Sequence, residues 1–274
     1  MILGIHGSVR AGIAGALREA RGLGCAVLQM LPYRRHFPPS APELEAFRAE
    51  RTRLAVLRLL VHSRFVPSLA SSDEKRRSRS VELLAFELHL AAALGGESYV
   101  LHAGAYSDGG TAEEGLRLAA ESISRAVGLT DFKGNILIEN VPGGGRRLCG
   151  TLEQLARLRD FLGTRAKSGV CIDTAHAWAA GYDVGSAEGM LKLLSRAYRL
   201  FSQDVLAFHV NDTRALLGSH QEDHAHWGEG HLGREGLSVL LARPEYAQTP
   251  GIVETPKEPG ADRRNLDFLG AVGG

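Results

Sequence analysis

The stretch Val170-Cys171-Ile172-Asp173-Thr174-Ala175-His176 reads as a short apolar strand closed by a carboxylate, with an imidazole one helical turn further on. Packing gives a buried strand no use for a terminal charge, and removing one from water is costly unless a cation or hydrogen bonds compensate it. The same pattern recurs along the chain. Apolar runs at 57–62, 99–102, 136–139, 206–209 and 252–254 end in His62, His102, Glu139, His209 and Glu254. Runs at 3–6, closing on His6, and at 26–30 bring the candidate strands to eight.

Between them lie helix patterns with physical start signals. Ser40-x-x-Glu43, Thr111-x-x-Glu114 and Thr151-x-x-Gln154 are capping boxes, and Gly95, Gly128 and Gly163 supply helix ends. Over 80–94, Val81, Leu84, Ala85, Leu88 and Ala92 recur with the period of a helix lying on a sheet. Strands alternating with helices predict an α/β fold, a single (β/α)8 TIM barrel spanning 1–274, with no Pro/Gly/Ser linker to divide it. A doubly wound open sheet is the structural alternative, but it does not require an ionisable residue at one strand end after another. In a barrel the carboxyl ends of all strands meet at one rim, so these residues converge there and the active site is expected among them. The final stretch, 262–274, is short for a closing helix and is expected to fray from Ala271.

With 44% hydrophobic and 23% charged residues, the chain has material for a full core and no disorder signature. No apolar run approaches a membrane span and no basic, apolar leader opens the chain, so a cytoplasmic protein with no membrane partner is expected. Cys25, Cys149 and Cys171 are far apart and form no CxxC pair, which fits a reducing compartment and excludes a cysteine-based zinc finger. Any metal must be held by imidazoles and carboxylates, donors suited to zinc or manganese. Among the other histidines, His89 lies in a helix between Leu88 and Leu90, and His36 and His220 sit in polar loops without an assigned role. His226, two residues from His224, reads either way. A net charge of +1 excludes a protein that grips nucleic acid by bulk positive charge, but it leaves room for a local basic face.

Several long motifs occur in order: GVCIDTAH at 169–176 followed by AAGYD at 179–183, IEN at 138–140 before GGG at 143–145, HVND at 209–212 followed by GS at 218–219, and DHAHWGEGHLG at 223–233. They resemble the signature motifs of the endonuclease IV family of apurinic/apyrimidinic (AP) endonucleases, and the likeness runs from His6 to Glu254. The resemblance implies a barrel holding three zinc ions, with manganese as a substitute. Such an enzyme acts in base excision repair as a monomer on duplex DNA that contains an abasic site. It hydrolyses the phosphodiester 5′ to that site, leaving a 3′-hydroxyl and a 5′-deoxyribose phosphate, with removal of 3′-blocking groups as a further activity. By motif, His62, His102 and Glu139 would hold one metal. Glu139 would bridge to a second, held by Asp173, His209 and Glu254, and His176, His224 and Glu222 would hold the third. Glu254 and Glu139 would be the catalytic carboxylates, and His6, Asn211 and Asp212 would stand behind the ligands and orient them.

Three positions depart from the family pattern. Ala175 replaces a cysteine that is not a ligand, Val141-Pro142 replaces a more polar pair, and Glu222 stands where the family has an aspartate, with Asp223 beside it. Glu222 is the expected ligand, because residues two apart in an extended segment face the same side and Glu222 is two from His224.

Basic residues cluster after the strands: Arg10, Arg34 with Arg35, Lys75, Arg76 and Arg77 with Arg79, Arg146 with Arg147, and Arg214. Together they outline a phosphate-binding crescent around the metals. The family drives an aromatic and an aliphatic side chain into the base stack, and the matching positions are Phe65 and Val66. The loop 33–37 matches the family's second intruding loop in position only. A rival reading is a xylose isomerase-like sugar isomerase or epimerase, which would use Glu139, Asp173, His209 and Glu254 with one or two metals. It has no use for His62, His102, His176 and His224. A barrel whose third metal site has decayed to a binding function is the non-enzymatic alternative.

Overall fold

The computed structural model describes residues 1–35 and 37–274, so His36 lies outside the described residues. All eight expected strands form: β1 (Ile2–Gly7), β2 (Val27–Met30), β3 (Arg58–His62), β4 (Ser98–Leu101), β5 (Asn135–Glu139), β6 (Ser168–Asp173), β7 (Val205–His209) and β8 (Pro250–Val253). They pair in parallel into a closed barrel, with β1 bonded to both β2 and β8. Helices α1 (Ile13–Gly22), α2 (Ala41–Leu54), α3 (Glu74–Leu94), α4 (Ala112–Gly128), α5 (Leu152–Leu162), α6 (Thr174–Ala180), α7 (Ala187–Phe201), α8 (Glu235–Leu241) and α9 (Ala261–Gly273) connect the strands and cover the barrel. The fold is the expected TIM barrel.

Both faces of the strands are buried, which is why they read as unbroken apolar runs rather than as alternating ones. Leu28, Leu59, Tyr99, Ile136, Val170, Phe208 and Val253 join the core shared with the helices. Val27, Leu60, Val100, Leu137, Cys171, Ala207 and Ile252 form a separate cluster that fills the barrel interior, one residue from each of β2 to β8. On β1 the corresponding place is taken by Gly4, where an added Cβ would stand 2.4 Å from the Val27 carbonyl oxygen.

Three local expectations need correction. Thr151 accepts from the Gln154 amide, but the Gln154 side chain accepts from Gly150 N instead of completing the box. Gly128 is the last residue of α4 and not its cap, which is Leu129, whereas Gly95 does cap α3 in the left-handed conformation. The C-terminal stretch is helical through Gly273, because Ala261, Asn265 and Leu269 bury one side of α9.

Candidate metal centre

Residues two apart on a strand share a face. Adding two to each member of the interior cluster gives Gln29, His62, His102, Glu139, Asp173, His209 and Glu254, and adding two to Gly4 gives His6. The ionisable residues are thus the next storey of the barrel interior, directly above its apolar plug. A register shift between Val170 and Cys171 sets Asp173 opposite His209.

Among the described residues four overlapping groups have ligand atoms within 4.8 Å of one another: His62–His102–Glu139, His62–His209–Glu254, Asp173–His176–His224 and Glu139–Asp173–His209–Glu254. Glu139 is fully buried and central, with Oε2 at 3.0 Å from His62 Nε2 and 2.9 Å from His102 Nε2, and Oε1 at 2.9 Å from His209 Nδ1. Asp173 belongs to two groups, so the structure brings it toward His176 and His224 as well as toward the second expected set.

The imidazoles are oriented by what lies behind them. His62 Nδ1 is 2.8 Å from the Ser63 carbonyl oxygen, His176 Nδ1 is 2.9 Å from that of Asn140, and His224 Nδ1 is 3.2 Å from that of Glu254. On His209 it is Nε2 that meets an amide oxygen, Gln29 Oε1, at 2.9 Å. In His62, His209 and His224 one N–H donates away from the centre and the other nitrogen faces it, the arrangement that fixes the ring of a metal ligand, whereas His176 Nδ1 also lies 3.2 Å from Glu139 Oε1. Among the described residues His176 Nε2 and His224 Nε2 are buried with no hydrogen-bond partner, which fits an electron-pair acceptor such as a divalent cation. The donor set contains imidazole and carboxylate and no thiol, so a metal fits these residues.

Protonation reports the same demand for positive charge. Burial would raise the Glu139 carboxyl, but His209 and His102 hold it well below the usual carboxylate range. Burial likewise opposes ionisation of Glu254, yet His209 and His6 drive its pKa well below normal. Burial would lower His209 and His176, but Cys171, Glu139 and Glu254 lift the first, and Asp173, Glu139 and Glu222 the second, well above the ordinary imidazole value. His62 is raised against the same opposition, by Glu139. His6 is lowered, because burial outweighs its contact with Glu254.

Around this centre the other expected residues fall as follows. His6 Nδ1 lies 3.0 Å from Glu254 Oε1. Asn211 Nδ2 donates to Asp173 Oδ2 at 2.7 Å while its Oδ1 accepts from Glu254 N at 2.8 Å, so one amide positions two of the expected ligands. The Asp212 carboxylate is spent on backbone: it accepts from the amides of Thr213, Gly228, Gly230 and Leu232 and ties down the 226–232 loop. The Glu222 carboxylate is 3.8 Å from His176 Nε2, which draws it down to about 2. Asp223 is exposed, and its carbonyl accepts from Arg214 N and Thr213 Oγ1. His226 turns away to Asn265 and Glu258, and His220 braces Pro142.

The basic residues divide. Arg34 and Arg35 line a cavity of about 630 Å³ with Arg10, Arg64 and Lys257, reaching His6 at its inner edge. Arg76 and Arg146 line a second of about 510 Å³ beneath Val66, with Arg146 paired to Asp108. Arg77 donates to the Ser71 carbonyl, Arg147 to those of Gly143 and His220, and Arg214 pairs with Glu229. Phe65 and Val66 are 50% and 62% exposed at a loop tip.

Reading the sequence for ionisable strand ends missed Gln29 and Asn140, which are amides. Gln29 is fully buried, and its Nε2 donates to Glu254 Oε1 at 2.5 Å while its Oε1 meets His209. Asn140 exchanges hydrogen bonds with the Asp173 backbone at 2.7 and 3.1 Å. The signal for Gln29 was present: it is the polar residue two beyond Val27 in an otherwise apolar strand.

Fold and centre together define a class, the TIM barrels that carry an imidazole–carboxylate cluster suited to divalent metal. The family described as xylose isomerase-like TIM barrel matches residues 17–272. "Probable endonuclease 4" of Solibacter usitatus is 36% identical over 100% of this chain and 97% of that protein. The crystal structure of endonuclease IV from Thermus thermophilus superposes with a TM-score of 0.86 at 32% identity, covering 99% of this chain and 98% of the other. The chain belongs to the endonuclease IV family of the xylose isomerase-like TIM barrels. A D-tagatose 3-epimerase-like protein, at 19% identity and a TM-score of 0.75 over 100% of this chain and 98% of its own, shares the fold alone.

Proposed function

We infer that this protein is a zinc-dependent AP endonuclease of base excision repair, active as a monomer in the cytoplasm. Its substrate is duplex DNA with an abasic site, and it hydrolyses the phosphodiester 5′ to that site, leaving a 3′-hydroxyl and a 5′-deoxyribose phosphate. The observation that carries the reading is the number of donors at one rim. His62, His102, His176 and His224 stand beside the Glu139–Asp173–His209–Glu254 set, and a sugar isomerase would need only the latter.

Bound divalent ions supply Lewis acidity, drawing the pKa of water toward neutrality and neutralising charge on a phosphate. His62, His102 and Glu139 would hold one, Glu139, Asp173, His209 and Glu254 another, and His176, His224 and Glu222 a third. Glu254 is the carboxylate best placed to orient a water. Its Oε1 is held by His6 and Gln29 and its Oε2 lies 2.9 Å from His209 Nδ1, and its depressed pKa keeps it an acceptor. Arg34, Arg35 and Arg76, along the two flanking cavities, would hold phosphates to either side of the scissile one. Phe65 and Val66 would enter the stack where a base is missing, since an abasic duplex is the least costly to unstack and kink.

A duplex carrying one tetrahydrofuran abasic analogue tests this. A single cut 5′ to the analogue, an end that a polymerase extends, loss with chelator and recovery with zinc are expected. Interconversion of ketohexose epimers without strand cleavage would instead establish the sugar-enzyme reading.

A further inference from the structure

A buried acid on α3 takes no part in the centre. Glu87, in the middle of α3, is 1% exposed on the face that carries Val81, Leu84, Leu88 and Ala91. Among the described residues no ion pair reaches it; neutral donors surround it. Tyr33 OH donates to Oε1 at 3.1 Å, while Tyr99 OH at 2.5 Å and Arg64 N at 3.0 Å donate to Oε2. These donors come from the loop after β2, from β4, and from the loop after β3 that carries Phe65 and Val66. Arg64 links the two loops again: its Nη1 donates to the Tyr33 carbonyl at 2.9 Å, and its guanidinium stands over the rings of Tyr33 and Phe65 at 5.3 and 5.7 Å. Ser63 Oγ, 3.5 Å from Glu87 Oε2, donates to the Phe65 carbonyl at 2.7 Å.

Burying a carboxylate that pairs with no cation is costly, and here the hydrogen bonds it receives fix the two loops that flank the centre. We propose that Glu87 is a positioning residue for DNA recognition: it ties the 63–66 loop to Tyr33 and so holds Phe65 and Val66 erect before DNA arrives. This rests on the reading of Phe65 and Val66 as the residues that enter the duplex. Preorganisation of this kind lowers the cost of binding rather than the barrier to chemistry. Gln in place of Glu87 would put an NH2 group against the donors at one oxygen, so the latch is weakened without opening a cavity. Tyr99→Phe removes one donor and keeps the ring.

The test combines hydrogen exchange with a double-mutant cycle, using zinc-loaded protein. In Glu87→Gln and in Tyr99→Phe, exchange in 63–66 should quicken while zinc content stays that of the parent. On the abasic duplex, KM should rise about tenfold with kcat within about threefold, and Glu87→Gln should add little to the KM defect of Phe65→Ala, since both act on one element. An abasic analogue opposite a short gap, already flexible, should restore the parental KM. Unchanged exchange in Tyr99→Phe, a loss confined to kcat, or additive effects with Phe65→Ala would overturn the proposal. A Phe65→Ala protein with parental KM would instead overturn the reading beneath it.

Discussion

Glu254 reaches the centre from just beyond β8, and both of its oxygens and its amide are engaged: by His6, Gln29, His209 and Asn211. Glu254→Gln keeps the shape but removes the charge proposed to orient water. Cleavage should be lost while affinity for the abasic duplex weakens by less than about tenfold, because the phosphate contacts remain; near-parental turnover would remove Glu254 from the chemistry. Gln29 acts one step behind, through His209 and Glu254. Gln29→Leu fits the volume and deletes the hydrogen bonds to His6, His209 and Glu254, so zinc affinity should fall by about 10- to 100-fold, measured by competition with a chelator, with cleavage restored by excess zinc. For the proposed third metal, Glu222→Ala should cost one equivalent of zinc and Asp223→Ala none, since of the two it is Glu222 whose carboxylate stands 3.8 Å from His176 Nε2. Loss in the Asp223 variant alone would reverse that assignment.

The elements carry these residues with different legibility. An apolar run that stops at His, Glu or Asp is conspicuous, so the rim could be read strand by strand. What decides the site is the two-residue step from plug to ligand, which becomes visible only when the strands are in register around the barrel. Glu87 escaped for the opposite reason, because it lies on a helix face whose period is carried by its apolar neighbours. Arginines show the limit of composition. Arg76 and Arg77 are adjacent in sequence, but near the start of α3 Arg76 lines a cavity while Arg77 donates to the Ser71 carbonyl at 2.6 Å. Arg76→Ala should therefore lower the slope of log affinity against log salt by about one unit. Arg77→Ala should leave the slope alone and lower the melting temperature. A parental slope in both variants would mean that neither meets a phosphate.

At the scale of the molecule, the barrel closes an apolar interior beneath a storey of buried acids, and something positive must sit above it. Without metal, protons on the histidines serve. The pKa values of His62, His176 and His209 are raised above the ordinary value of about 6.5. Their contribution is fully present below that value and is lost as pH rises through the folded values. Glu139 and Glu254 are depressed, so they contribute above the ordinary carboxylate value of about 4.3, and that contribution is lost as pH falls through the folded values. Metal-free protein should then be most stable between about pH 4.5 and 6.5 and should weaken steadily toward pH 8.5. Bound zinc would reverse the upper limb, because the same imidazoles would have to lose their protons to ligate, and metal affinity would rise with pH. The melting temperature of zinc-loaded protein minus that of chelated protein should accordingly grow from pH 6 to pH 8, as read by calorimetry in matched buffers. A difference that stayed flat over that range would mean that protons and metal do not compete for this rim, and that the cation partner of the buried carboxylates must be sought elsewhere.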